Sequence, residues 1–230
     1  PGKLDEFNGH ETPGLGDAAV QTFIQAIRDQ IPRELISSTT SNRWQGEVGF
    51  RGADSIMRTL DVVLQIVRDA NGTIEHYSAI ARDITESKQT QDELQRQATH
   101  DALTNLPNRV LFLRKLSEAL DRSRTLKRGV TVLFVDLDKL KDVNDTIGHG
   151  VGDQLIVNMS KRLVSATRPS DVVARIGGDE FVILCDGLGD EQIAMDVANR
   201  MCAAVTGQQI LQGFEIETSA SIGIAMANST

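Results

Sequence analysis

The stretch Val172-Val173-Ala174-Arg175-Ile176-Gly177-Gly178-Asp179-Glu180-Phe181-Val182-Ile183-Leu184-Cys185 is two apolar runs separated by a short polar break. Residues 172–176 and 181–185 read as strands, and Gly177 to Glu180 as the tight turn joining them. Two glycines allow a reversal through positive φ and leave the backbone open to a close approach by an anion. Two carboxylates follow at once, and neighbours on a strand point to opposite faces. At most one of Asp179 and Glu180 is therefore expected to share an ion with a carboxylate on the next strand, unless the turn twists.

Working outward, Val130 to Val135 is an apolar strand broken only by Thr131, and Asp136-Leu137-Asp138 follows it directly. Helical spacing is read over Leu106–Thr125, Gly152–Ala166 and Asp190–Val205, and a further strand over Ser219–Ala227. Alternating strands and helices from His100 onward predict an α+β domain, a sheet with flanking helices. Upstream, Arg43 to Thr85 alternates like an antiparallel meander. Trp44, Gly46, Val48 and Phe50 share one face, and Asn71-Gly72 marks a hairpin turn. Ala18–Ile31 reads as an amphipathic helix ended by Pro32. Between the two regions, Asp83 to Thr99 is polar and lacks Gly and Pro, with Asp83 and Glu86 at capping-box spacing. A solvated connector and a helix that pairs with its own copy both satisfy that pattern.

Composition narrows the chemistry. The 230 residues are 40% hydrophobic and 24% charged, enough for a buried core. Asp plus Glu number 32 against 24 Lys plus Arg, a net charge of −8, and neither half is basic. A nucleic-acid platform is excluded, and a polyphosphate ligand would need bound cations. No apolar run reaches the ~18 residues of a membrane span, and no signal peptide opens the sequence. Cys185 and Cys202 have neither metal nor redox spacing, which fits a reducing, cytoplasmic setting.

A carboxylate at the end of a buried strand is held rigidly while its head reaches solvent, a good place for a hard cation. Asp136 and the Gly-Gly-Asp turn together suggest a two-carboxylate cation site. Singly, each is equally an ordinary strand end or hairpin. Between them lies a polar stretch from Leu140 to Asp153. Asn144 and Asp153 can read a purine, since a carboxylate accepts from guanine's ring N–H and exocyclic amine while an amide both donates and accepts. Lys141 can meet phosphate. Helix-dipole compensation for Asp153 and an exposed lysine for Lys141 are the plain alternatives. His149 stands without a second His or Cys and reads as structural. Neither a Walker-A loop nor a Rossmann fingerprint occurs.

Five motifs in order then resemble one family. They are His100-Asp101-Ala102-Leu103-Thr104-Asn105-Leu106-Pro107-Asn108-Arg109; Asp136-Leu137-Asp138-Lys139-Leu140-Lys141 with Asn144-Asp145; Gly148-His149 with Gly152-Asp153; Arg175-Ile176-Gly177-Gly178-Asp179-Glu180-Phe181; and Ser221-Ile222-Gly223-Ile224-Ala225. This is the motif order of the GGDEF domain of diguanylate cyclases, covering residues 100–230. More loosely, residues 1–83, through the stretch from 43 onward, resemble a partial PAS sensor domain, and 84–99 the helical linker usual in such pairs.

The resemblance implies a nucleotidyl-cyclase or polymerase-palm sheet, and condensation of two GTP on two facing subunits to cyclic di-GMP with loss of pyrophosphate. By resemblance Asp136, the Leu137 carbonyl and Asp179 ligate Mg²⁺ (or Mn²⁺), with Glu180 helping to bind a second ion. Asp179 is the position assigned proton acceptance. Asn144 and Asp153 hold guanine, and Lys141 with nearby amides holds the phosphates. Arg168-Pro169-Ser170-Asp171 begins nine residues before Gly177, the family's spacing for an RxxD product-inhibition site. A guanidinium can fork onto phosphate or guanine there, and Asp171 can accept from a guanine edge; a helix-end ion pair is the plain alternative.

The sequence departs from the family's pattern in places. Leu140, placed by the resemblance among the substrate-binding residues, replaces the usual Phe, an apolar swap. By the family's pattern the chain stops at Thr230 about one helix and strand early, short of a basic pair that grips terminal phosphates, and the first PAS strands are missing. The expectation is a piece of a longer protein, one that can carry a membrane tether and, downstream, an EAL phosphodiesterase domain. The ligand of the PAS-like part is not legible; His10 and His76 are lone residues read as structural.

Overall fold

The computed structural model describes residues 42–51 and 54–227. The helix expected over residues 18–31, and His10, lie outside them. The chain divides into two compact units between Glu93 and Leu94.

In the first unit, β1 (Arg43–Arg51), β2 (Met57–Arg68) and β3 (Ile74–Asp83) form an antiparallel meander in chain order. Period-two alternation decides its faces. Val48 and Phe50 of β1 and Leu60, Val62, Leu64 and Ile66 of β2 are buried on the face that the sequence assigned to Trp44 and Gly46. The β2–β3 turn carries Gly72 at φ +82°. Its organiser is Asp69, whose carboxylate accepts the amides of Asn71 (2.8 Å) and Thr73 (2.9 Å).

Trp44 lies across Gly46. A Cβ at residue 46 would stand 2.5 Å from Trp44 Cζ2, inside any tolerable contact, so Gly46→Ala must push the indole away. We expect a cost of about 1–3 kcal/mol from overpacking. Trp44 is the one tryptophan of the chain, so a shifted emission maximum reports the displacement directly; an unchanged spectrum would contradict it.

Helix α1 (Thr85–Thr99) starts from β3 through bonds to β2. Asp83 accepts the Thr85 amide (2.9 Å), Ile84 N–H donates to the Thr59 carbonyl (2.9 Å), and Thr59 N–H donates to Thr85 Oγ1 (2.8 Å). Lys88 pairs with Glu47 of β1 at 2.7 Å. No residue of α1 is buried, as its polar sequence implies.

The second unit runs α2 (Arg109–Leu126), β4 (Val130–Leu137), α3 (Leu140–Ile147), α4 (His149–Ala166), β5 (Val172–Gly177), β6 (Glu180–Asp186), α5 (Glu191–Val205), β7 (Gly207–Leu211), β8 (Phe214–Thr218) and β9 (Ala220–Ala227). Its sheet has the order β5-β6-β4-β9 and every pairing is antiparallel. Odd-numbered residues of the two central strands, Leu133, Val135, Phe181 and Ile183, pack in one core with Leu155, Met159 and Leu163 of α4 and Val197 and Met201 of α5. Even-numbered Val130, Val182 and Leu184 pack with Phe112 and Ala119 of α2. Two long helices and the short α3 on one face, and α2 on the other, give the expected α+β class.

Helix entries follow local chemistry. Asn108 accepts from the amides of Val110 and Leu111, and Asp190 from that of Ile193, which satisfies amides that no preceding carbonyl can reach. Two elements were not expected. One is α3; the other is the β7–β8 hairpin, whose turn takes positive φ at both Gln212 (51°) and Gly213 (88°). Among the described residues no helix is long and apolar enough to cross a membrane.

Candidate active site

The site forms where β4 ends beside the turn between β5 and β6. Asp136 is paired in register with Glu180 across the sheet, so parity alone would set Glu180 beside it. The turn alters this. Leu137 N–H donates to the Asp179 carbonyl at 3.2 Å, which draws the turn over the tip of β4. The Asp136 carboxyl is held above its usual range by burial first, then by the negative charges of Asp179 and Asp138. Asp179 is thus an electrostatic neighbour of Asp136.

Asp138 is otherwise engaged. Its carboxylate accepts from the hydroxyls of Ser219 (2.6 Å) and Ser221 (3.1 Å), and its N–H donates to the Ser219 carbonyl (3.0 Å). It ties the end of β4 to the start of β9.

The turn is held from behind by Arg175. Its Nε and Nη2 both donate to the Gly178 carbonyl (3.1 and 2.7 Å), while Nη1 reaches both carboxylate oxygens of Asp101 (3.0 and 3.1 Å). Asp101 also accepts from the Thr104 amide and hydroxyl, and Arg175 N–H donates to the Pro107 carbonyl (2.9 Å). Burial raises the Asp101 carboxyl, but the Thr104 bonds and the Arg175 guanidinium outweigh it and the net shift is downward. Both residues stand in motifs of the sequence that assign neither of them a role. They stand 74 positions apart, and no local spacing connects them.

Behind the clamp the turn is open. A Cβ built on Gly177 or Gly178 would meet nothing within 4 Å, and Gly178 has φ +49°. The backbone therefore faces free space, with Asp136 and Asp179 at its side. Among the described residues no three His, Cys, Asp or Glu side chains gather as a complete ion cage. Two carboxylates fit a magnesium-sized ion that takes its remaining oxygens from water and from a phosphorylated ligand. An all-oxygen donor set suits Mg²⁺ or Mn²⁺ over softer metals.

Two residues past Asp138, α3 begins. Lys139 precedes it in the left-handed region (φ 62°), Leu140 is buried as its anchor, and Lys141 is exposed on the first turn. Asn144 lies in the next turn, its side chain against Gly152 of α4, and Asp153 is exposed beside Gly152. On another edge, the Asp171 carboxylate accepts the Arg168 amide (3.0 Å) and Asp171 N–H donates to the Arg168 carbonyl (3.0 Å). This closed turn leaves the Arg168 side chain exposed. Cys185 contributes no chemistry: burial pushes its thiol up to about 12, so it stays protonated.

Residues 98–230 match the family described as "Diguanylate cyclase, GGDEF domain". Diguanylate cyclase TpbB of Pseudomonas aeruginosa is 41% identical over 140 residues, 59% of this chain and 32% of that protein. The chain thus spans about a third of the length of this curated relative. The solved GGDEF domain of TpbB superposes with a TM-score of 0.54 at 41% identity, over 55% of this chain and 74% of that one. The GGDEF domain of DgcB from Caulobacter crescentus, solved with c-di-GMP, gives 0.54 at 26% identity, over 57% and 79%. With its Gly-Gly-Asp-Glu-Phe turn clamped beside the tip of β4, this chain belongs to the GGDEF family.

Proposed function

We propose that this chain condenses two GTP molecules into cyclic di-GMP and releases pyrophosphate. The observation that carries the reading is the Asp136–Asp179 pair beside an open diglycine turn: crowded like charges want a cation, and bare backbone admits a phosphate. Asp136, the Leu137 carbonyl and Asp179 hold Mg²⁺, with Glu180 toward a second ion. Bound there, magnesium neutralises phosphate charge and polarises the α-phosphorus. Asp179 accepts the proton of the attacking 3′-hydroxyl. Lys141 and the first amides of α3 steady the phosphates, and Asn144 with Asp153 selects guanine. Each 3′-oxygen must reach the other nucleotide's α-phosphorus, so two copies of the chain face one another during turnover, and positioning supplies much of the rate.

The exposed Arg168 beside the Asp171 turn supports product binding at that edge. Arg168→Ala is expected to raise the plateau of progress curves, because accumulated product no longer brakes the enzyme. An unchanged plateau would remove the inhibitory role. In the first unit, the antiparallel meander and its bonded exit into α1 support reading residues 43–83 as part of a PAS-type sensor and α1 as its signalling linker.

The test is separation of products after incubation with GTP and Mg²⁺, with ATP in parallel. Cyclic di-GMP from GTP and no cyclic dinucleotide from ATP is the expected result. GTP binding without product would make the chain a silent binding module, and absence of GTP binding would end the reading altogether.

A further inference from the structure

Gly152 is the one glycine of the second unit whose missing side chain is occupied by a residue of the proposed guanine pocket. An ideal Cβ on Gly152 would stand 1.9 Å from Asn144 Oδ1 and 2.9 Å from its Cγ. The Asn144 amide therefore lies on the bare Cα of Gly152. The neighbouring backbone is also fixed: the Gly148 N–H donates to the Asn144 carbonyl (3.0 Å), and the Gly152 N–H donates to the Gly148 carbonyl (3.4 Å). Gly148 turns the chain between α3 and α4 at φ +111°, whereas Gly152 lies within α4 and has no positive φ. Backbone conformation thus gives residue 152 no reason to be glycine. The space taken by Asn144 does.

We infer that Gly152 is a positioning residue for base recognition: its hydrogen lets the Asn144 amide lie flat against α4 and fixes the direction in which that amide meets guanine. This rests on the reading of Asn144 and Asp153 as the guanine pocket. The clash is with the end of a short side chain, so an added methyl displaces the amide and leaves the backbone in place. The fold and the pocket then separate. Gly152→Ala removes a helix glycine, which favours α4, while the ligand loses the hydrogen bonds that Asn144 supplied.

The experiment measures binding of α,β-methylene-GTP, which cannot react, and of its adenosine counterpart. The proteins are the wild-type chain, Gly152→Ala, Asn144→Ala and the double variant, each also followed by thermal unfolding. The expected result is roughly tenfold weaker guanosine binding in each single variant, with adenosine binding little changed. The double variant should be no weaker than Asn144→Ala, since a displaced amide and a deleted one are equivalent. Thermal stability of Gly152→Ala should equal or exceed wild type. Additive losses, unchanged guanosine affinity in Gly152→Ala, or a marked fall in its melting temperature would each overturn the inference while leaving the guanine pocket standing. Wild-type affinity in Asn144→Ala would remove the pocket reading and the inference with it.

Discussion

Arg175→Ala is expected to lower the proposed cyclic di-GMP formation by about a hundredfold and to destabilise the second unit by about 2–3 kcal/mol, a melting shift of roughly 10 °C. Two losses combine. The Gly178 carbonyl gives up both donors that hold it, so the diglycine turn drifts relative to the tip of β4, and a displacement near an ångström is enough for such a rate loss. Asp101 keeps its Thr104 bonds but loses the guanidinium of a pair whose side chains are 10% and 22% exposed, which weakens the compensation of a mostly buried carboxylate. Arg175→Lys should restore charge to Asp101 without the fork onto Gly178, recovering more stability than activity. Acid provides an independent check. The folded Asp101 carboxyl lies below its ordinary 3.8, so its contribution is complete above that value and drains as pH falls through the lowered one. Asp101→Asn should flatten stability across that acid window. Equal acid sensitivity in wild type and Asp101→Asn would sink the account.

What the sequence could disclose followed from how local each signal is. The strand Val130–Val135 and the hairpin around Gly177 were legible because apolar runs and glycines lie within a few positions. Helix α3 was not: Leu140, Val143 and Ile147 make only a short apolar stripe among polar residues. The β7–β8 turn was hidden because Gln212, without the usual Asn or Gly preference, adopts positive φ. Parity allowed only one of Asp179 and Glu180 beside Asp136 without choosing between them, and the register pairs Glu180 with it. Asp179, whose carbonyl accepts the Leu137 N–H, also bears on the same carboxyl. Asp138 carried no assigned role in the sequence, and its engagement by Ser219 and Ser221, 81 and 83 residues away, lay beyond any spacing rule. Long-range clamps are set by topology, which no window along the chain contains.

Asp136→Asn should abolish cyclic di-GMP formation, a fall of at least ~10³-fold, while making the ligand-free protein melt slightly higher. The sign follows from the site's electrostatics. Burial and the charges of Asp179 and Asp138 hold the Asp136 carboxyl above its usual range, so carrying its charge at neutral pH takes a little stability from the fold. Amidation removes that repulsion and with it the site's main claim on a cation. Adding Mg²⁺ with α,β-methylene-GTP should therefore reverse the order. Ligand at a hundred times its dissociation constant stabilises by about 2.7 kcal/mol, several degrees for wild type, and much less for a variant that has lost the ion. The crossover distinguishes a cation site from a structural carboxylate: an Asp136 needed only for folding would leave the variant less stable under both conditions. Equal stabilisation of both proteins by the magnesium-nucleotide mixture would show that the ion is held elsewhere, and the catalytic arrangement argued from the tip of β4 would have to be abandoned.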